Sequence, residues 1–140
     1  MLKVWLIAYK ECFTPAEIDD KADYSLLLIS NEDERKIGKI VQDSMQKLSE
    51  SGFIFDNSLY SLFYTKEWSK KTLGLYYALF KSYDPSQPIE NQTKDHRNNN
   101  RYYGKVFTFG ECQVLLTSEW YKESKELYIN WFNSLLKPKN

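Results

Sequence analysis

Ile37, Ile40, Val41, Met45 and Leu48 recur at spacings of three and four residues. On a helix that spacing draws a single apolar stripe, and the stripe has to be covered by a second layer of structure. The flanks read the same way. Asn31 can cap the helix, and Glu32, Asp33 and Glu34 fall where the helix dipole favours negative charge. Glu32–Lys36 and Asp43–Lys47 are acid-first pairs four residues apart, and Gly52 supplies the stop. A helix from about Glu32 to Ser51 is expected.

The covering layer is expected to be a sheet. Leu2 to Tyr9 is a short run of apolar, β-branched and aromatic residues, the pattern of a strand. Thr14-Pro15-Ala16-Glu17 opens one or two helical turns. Tyr24 to Ile29 is apolar enough for a second strand, with a helical continuation as the alternative. Leu59 to Thr65 and Thr72 to Tyr83 are rich in Tyr, Leu and Phe, and Lys66 to Lys71 forms a polar connection between them. The second run reads as a strand covered on both faces, with a helix over Trp68 to Lys81 as its rival. Tyr102 to Phe109 and Cys112 to Thr117 flank Gly110-Glu111, a hairpin signal. Ser118 then caps a last amphipathic helix, Glu119 to Leu136, which Pro138 stops. The expected fold is α+β: a mostly antiparallel sheet of five or six strands with two amphipathic helices packed on it.

One domain accounts for residues 1–140, with the polar stretch Asp84 to Arg101 as its long loop. Loops of that length inside compact domains tend to be functional or disordered. Aromatic residues reach 16%, through 11 Tyr, 8 Phe and 4 Trp, which suits a sheet-rich core or an interaction surface. Cys12 and Cys112 have no further Cys or His at zinc-ligand spacing, so no metal or other cofactor is expected. Two thiols without a secretory signal point to a reducing cytoplasm, with Cys112 as a buried, inert strand residue. The apolar opening is too short to span a bilayer, so no membrane association is expected.

Catalytic templates fail one by one. The five glycines are too scattered for a phosphate loop. His96 is the single histidine and stands in the polar loop, where a solvated side chain is the ordinary outcome and nothing orients a nucleophile. Asp19-Asp20 and Glu32-Asp33-Glu34 could gather a hard cation. A solvated turn and a helix N-terminus explain them more simply, and no further acid follows at a motif spacing. The expectation is a protein without enzymatic activity.

Charge is more informative. The chain carries 19 basic and 19 acidic residues, yet residues 1–65 hold 7 basic against 11 acidic, and residues 66–105 hold 8 against 4. The acidic half favours a small protein-binding module of the inhibitor, immunity or anti-defence type. Asp19, Asp20, Asp23, Glu32 and Asp33 would form its rim and Tyr24 its anchor. The partner would be a protein such as a basic nucleic-acid-acting enzyme, drawn by charge steering. The basic half supports the alternative, a nucleic-acid-binding module of a bacterial restriction or defence system, with Lys70, Lys71, Arg97 and Arg101 on phosphates. Balanced overall charge favours the protein partner. The segment FTFGECQVLLTSEWYKESKELYINWF, hairpin then helix, is similar in outline to terminal modules of restriction and defence proteins. It covers under a quarter of the chain without a diagnostic motif, and it assigns no family.

Overall fold

The structure, a computed structural model, describes residues 24–56 and 60–137. Among the described residues the fold is α+β, with one three-stranded antiparallel sheet and four α-helices. In chain order these are α1 (Ile37–Glu50), α2 (Lys66–Leu73), β1 (Phe80–Ser82), α3 (Ile89–Gln92), β2 (Tyr102–Phe109), β3 (Cys112–Thr117) and α4 (Ser124–Leu135). Two 3-10 turns, Ser25–Leu27 and Ser61–Tyr64, complete the list. The strand order is β1-β3-β2, and β3 in the centre is apolar from Val114 to Leu116 because both its neighbours and the helices cover it.

The expected hairpin forms, with Phe109 opposite Cys112 and Phe107 opposite Val114. Gly110 holds the turn at φ 64°, the left-handed region that a side chain resists. Among the described residues the sheet has three strands, not the five or six expected, and each expected strand that is missing there has a local reason. Tyr24 to Ile29 is a 3-10 turn followed by extended chain tied to α4: Asn133 accepts from the Ile29 N–H at 2.8 Å and donates to its carbonyl at 2.9 Å. Ser61–Tyr64 is also a 3-10 turn, with Tyr60 and Tyr64 ring to ring beside Phe80. A polar connection was expected over Lys66 to Lys71, with a helix over Trp68 to Lys81 as the rival of the strand after it; Lys66–Leu73 is a helix, capped when the Thr65 Oγ1 accepts from the Trp68 N–H and ended by Gly74 at φ 71°. Of Thr72 to Tyr83, three residues are strand. The predicted strand at Leu2–Tyr9 and the helix start at Thr14 lie outside the described residues.

The long helix begins later than its charge pattern implied. Its first residue is Ile37 and its cap position, Lys36, makes no side-chain capping bond. Asp33 explains the delay, since its carboxylate accepts from the Arg35 N–H at 3.0 Å and from the guanidinium, closing a turn before the helix starts. The last helix likewise starts at Ser124 and not at Glu119. Thr117, at the end of β3, uses its hydroxyl to accept from the Glu119 N–H and its carbonyl to accept from the Trp120 indole at 2.7 Å, which ties residues 118–120 to the strand end instead of a helix.

The aromatic excess is mostly core. Phe55 sits 4.9 Å from Phe109, 5.2 Å from Phe63, 5.3 Å from Phe53 and 5.8 Å from Phe80, nearly all edge to face. Phe63, Trp68 and Trp131 pack α2 against α4, and Tyr128 crosses from α4 to share a 2.7 Å hydrogen bond with Ser44 of α1. Cys112, expected as a buried thiol, is half-buried and disulfide-bonded. No helix among the described residues is long and apolar enough to cross a membrane.

Candidate functional site: a tyrosine corner built on Arg101

Residues 84–101 are not a slack loop. The Gln92 side chain is buried, accepts from the Asp84 N–H at 2.7 Å and donates to the Asp84 carbonyl at 2.8 Å, gathering the loop around α3. Asp95 organises the next turn by accepting from the N–H groups of Arg97 at 2.8 Å and Asn99 at 3.0 Å, while Asn98 takes φ 67°. Those N–H bonds, with that from Arg101, hold the Asp95 carboxyl down at about 2.

Arg101 joins this turn to the sheet. Its N–H donates to the Thr93 carbonyl at 2.7 Å, and its own carbonyl accepts from Ser118 N–H and from the Thr117 hydroxyl, each at 2.9 Å. With the backbone clamped, the guanidinium donates to Asp95 at 2.9 Å and to Glu119, and lies 5.0 Å over the Tyr77 ring. The Lys66 ammonium approaches the same ring at 5.8 Å. Tyr102 is anchored alongside by donating to the Ala78 carbonyl at 3.0 Å; burial, with Tyr77 beside it, pushes its phenol up to about 12.

Beside this clamp the surface turns apolar. Tyr76 is 63% exposed and Tyr121 36%, and their rings meet edge to face at 5.6 Å. Gly74, the stop of α2, opens toward α4: a Cβ there would lie 3.5 Å from Leu127, itself 41% exposed, and 3.8 Å from the Ser124 hydroxyl. The exposed Tyr76–Tyr121 pair and the exposed Leu127 belong to the segments in which the end of α2 meets the start of α4. Ser124 Oγ, close to Gly74, is buried with no hydrogen-bond partner. Burial and the nearby Glu119 carboxylate both push the Tyr121 phenol up.

The predicted acidic rim is only partly present in this description. Asp19, Asp20 and Asp23 lie outside the described residues. Tyr24 is half-buried and packs edge to face on Phe53 at 5.3 Å, so its ring belongs to the core margin. Glu32 is exposed, whereas Asp33 is bound by Arg35, whose guanidinium also reaches Asp43 at 2.9 Å. That guanidinium holds the Asp33 carboxyl down at about 2. Of the basic set, Lys70 and Lys71 are exposed in the last turn of α2, Arg97 is exposed on the Asp95 turn, and Arg101 is committed to two carboxylates. Of the predicted site residues that are described, Arg101 is the one built into the corner, against Tyr77, Asp95 and Glu119. Spacing puts Leu127 on the apolar face of the last helix, yet it is exposed, and Tyr76 and Tyr121 sit in runs whose other aromatics are mostly core.

His96 is exposed on the Asp95 turn. Among the described residues no three His, Cys, Asp or Glu side chains gather to hold a metal ion. An open groove of about 570 Å³ is lined by Asn31, Lys122, Glu123, Lys125, Glu126 and Ile129, a charge-alternating wall without Ser, Thr, Cys or His. Compared with known proteins, the chain matches no family model, no curated protein and no solved structure.

Proposed function

We propose that the protein acts by binding a partner protein, without catalysis, in the manner of an inhibitor or immunity-type module, and that the tyrosine corner is its binding surface. The observation that carries this is the exposed Tyr76–Tyr121 pair, with Leu127 also exposed on the first turn of α4. Tyr offers a large amphipathic contact with few torsions to freeze, and exposed aromatics next to an ordered Arg have the composition of interface hot spots. The Arg101 clamp supports the same conclusion, since a surface already held in place loses less entropy on binding.

The acidic segment gives weaker support, because Asp33 is already neutralised by Arg35 and Tyr24 is turned into the core margin. A nucleic-acid partner draws support from the exposed Lys70, Lys71 and Arg97. It loses support at the corner itself, where Asp95 and Glu119 outnumber Arg101. Cytoplasmic residence was expected from free thiols; the disulfide at Cys112 weighs against it, since such bonds persist mainly in oxidising compartments.

The test is affinity capture from source-cell lysate, treated with nuclease, using wild-type protein and a Tyr76→Ala/Tyr121→Ala variant. A discrete protein held by the wild type and lost from the variant is expected. Equal capture by both, or capture that nuclease abolishes, would remove the corner from the account.

A further inference from the structure

We infer that Asn91 is an N-glycosylation site, its side-chain nitrogen carrying an oligosaccharide added in an oxidising, glycosylating lumen. The modification is independent of the protein-binding function proposed for the tyrosine corner.

Asn91-Gln92-Thr93 is the acceptor sequence for that chemistry, Asn-X-Thr with X other than Pro. Of the asparagines in the chain, Asn91 alone is followed two residues later by Ser or Thr. The setting of the motif suits a glycan. Asn91 lies on α3 and is exposed, and its carboxamide makes no hydrogen bond among the described residues. The other two residues of the motif turn inward: Gln92 is 8% exposed and Thr93 5%. Gln92 is bound to the Asp84 backbone, and the Thr93 carbonyl accepts from the N–H groups of Arg101 at 2.7 Å and Tyr102 at 3.1 Å. A sugar on Asn91 therefore stands in solvent on an anchored stretch of chain and displaces no buried group.

Cys112 supplies an independent sign of the compartment. It is disulfide-bonded, and such bonds form and persist in oxidising surroundings, among them the lumen in which N-glycans are transferred. The donor there is a lipid-diphosphate-linked oligosaccharide. Asn91 Nδ2 forms a bond to the anomeric carbon of the sugar, and the bond from that carbon to the diphosphate oxygen breaks. The lipid diphosphate leaves with the electron pair, and Nδ2 gives up one proton to the transferase. In the folded chain the Thr93 hydroxyl is buried and donates to the Glu90 carbonyl at 3.3 Å, so the transferase cannot use it. Transfer accordingly precedes closure of residues 84–101, and the folded loop then presents the modified Asn91 at the surface.

The experiment uses full-length protein isolated from its source cells. It is treated with peptide N-glycosidase in ¹⁸O-labelled water, digested, and sequenced by tandem mass spectrometry, with gel mobility compared before and after treatment. The expected result is ¹⁸O-labelled aspartate at position 91 and a gain in mobility on treatment. Asn91→Gln, made at an exposed position and expressed in the same cells, should migrate like the treated wild type, whereas Thr93→Ser, which keeps the acceptor sequence, should retain the glycan. Native protein with only unmodified Asn91 would overturn the inference, as would a mobility gain that persists in Asn91→Gln. Capture through Tyr76 and Tyr121 is unaffected by either outcome.

Discussion

At the scale of single residues, the corner depends on groups whose partners are already chosen. Asp95 accepts from three donors, two backbone N–H groups and the Arg101 guanidinium, and its carboxyl is held at about 2. An unfolded Asp titrates near 4, so the folded state binds its proton later than the unfolded state does. The resulting stabilisation is complete above about pH 4 and is lost as pH falls toward about 2. In Asp95→Asn that part of the acid transition should flatten, as read from chemical denaturation at stepped pH. A steeper transition in the variant would contradict the assignment. Ser124 makes the opposite case, as a buried hydroxyl without a partner. Replacing it by Ala removes a desolvated polar group, so Ser124→Ala should leave stability unchanged or raise it by about 1 kcal/mol in urea unfolding. A loss above about 1 kcal/mol would mean that the hydroxyl is hydrogen-bonded in solution.

Among the elements, α2 decides where the corner stands. Thr65 caps it, Glu67 lies in its first turn, Lys70 and Lys71 in its last, and Gly74 ends it in the left-handed conformation. Gly74→Ala keeps ordinary contact distances to Leu127 and Ser124 but strains the backbone, and should cost about 1–2 kcal/mol of stability. A neutral result in thermal unfolding would show that the αL stop is not needed. Every one of those helix signals stood in the sequence, yet the aromatic runs on both sides outweighed them and made Lys66–Lys71 look like a connection. The long helix and the hairpin were legible because each carries its own pattern: an apolar stripe in one, strand runs about Gly110 in the other. Their ends were not. Asp33 and Thr117 satisfy neighbouring backbone groups from outside the helices, which spacing alone does not disclose. The candidate site was least legible, since Tyr76 and Tyr121 differ from the core tyrosines only in which way the folded chain turns them.

Over the described molecule, a small sheet is held by an aromatic cluster centred on Phe55. Phe55 connects Phe53, Phe63, Phe80 and Phe109 while fully buried, so Phe55→Ala should cost about 3–5 kcal/mol and broaden or abolish cooperative unfolding. Loss below about 1 kcal/mol in the same urea titration would mean that the cluster is not the centre of the core. This division of labour, with phenylalanines inside and a few tyrosines left outside, is what gives the corner its meaning. Core packing explains Phe55 and Tyr128; it does not explain Tyr76, more than half exposed and touching Tyr121 across the surface. The most direct measurement is therefore capture from nuclease-treated source-cell lysate by wild-type protein and by folded Tyr76→Ala/Tyr121→Ala, compared by quantitative mass spectrometry. The account predicts one protein enriched by the wild type and reduced at least tenfold in the variant. The same protein captured equally by both would contradict it.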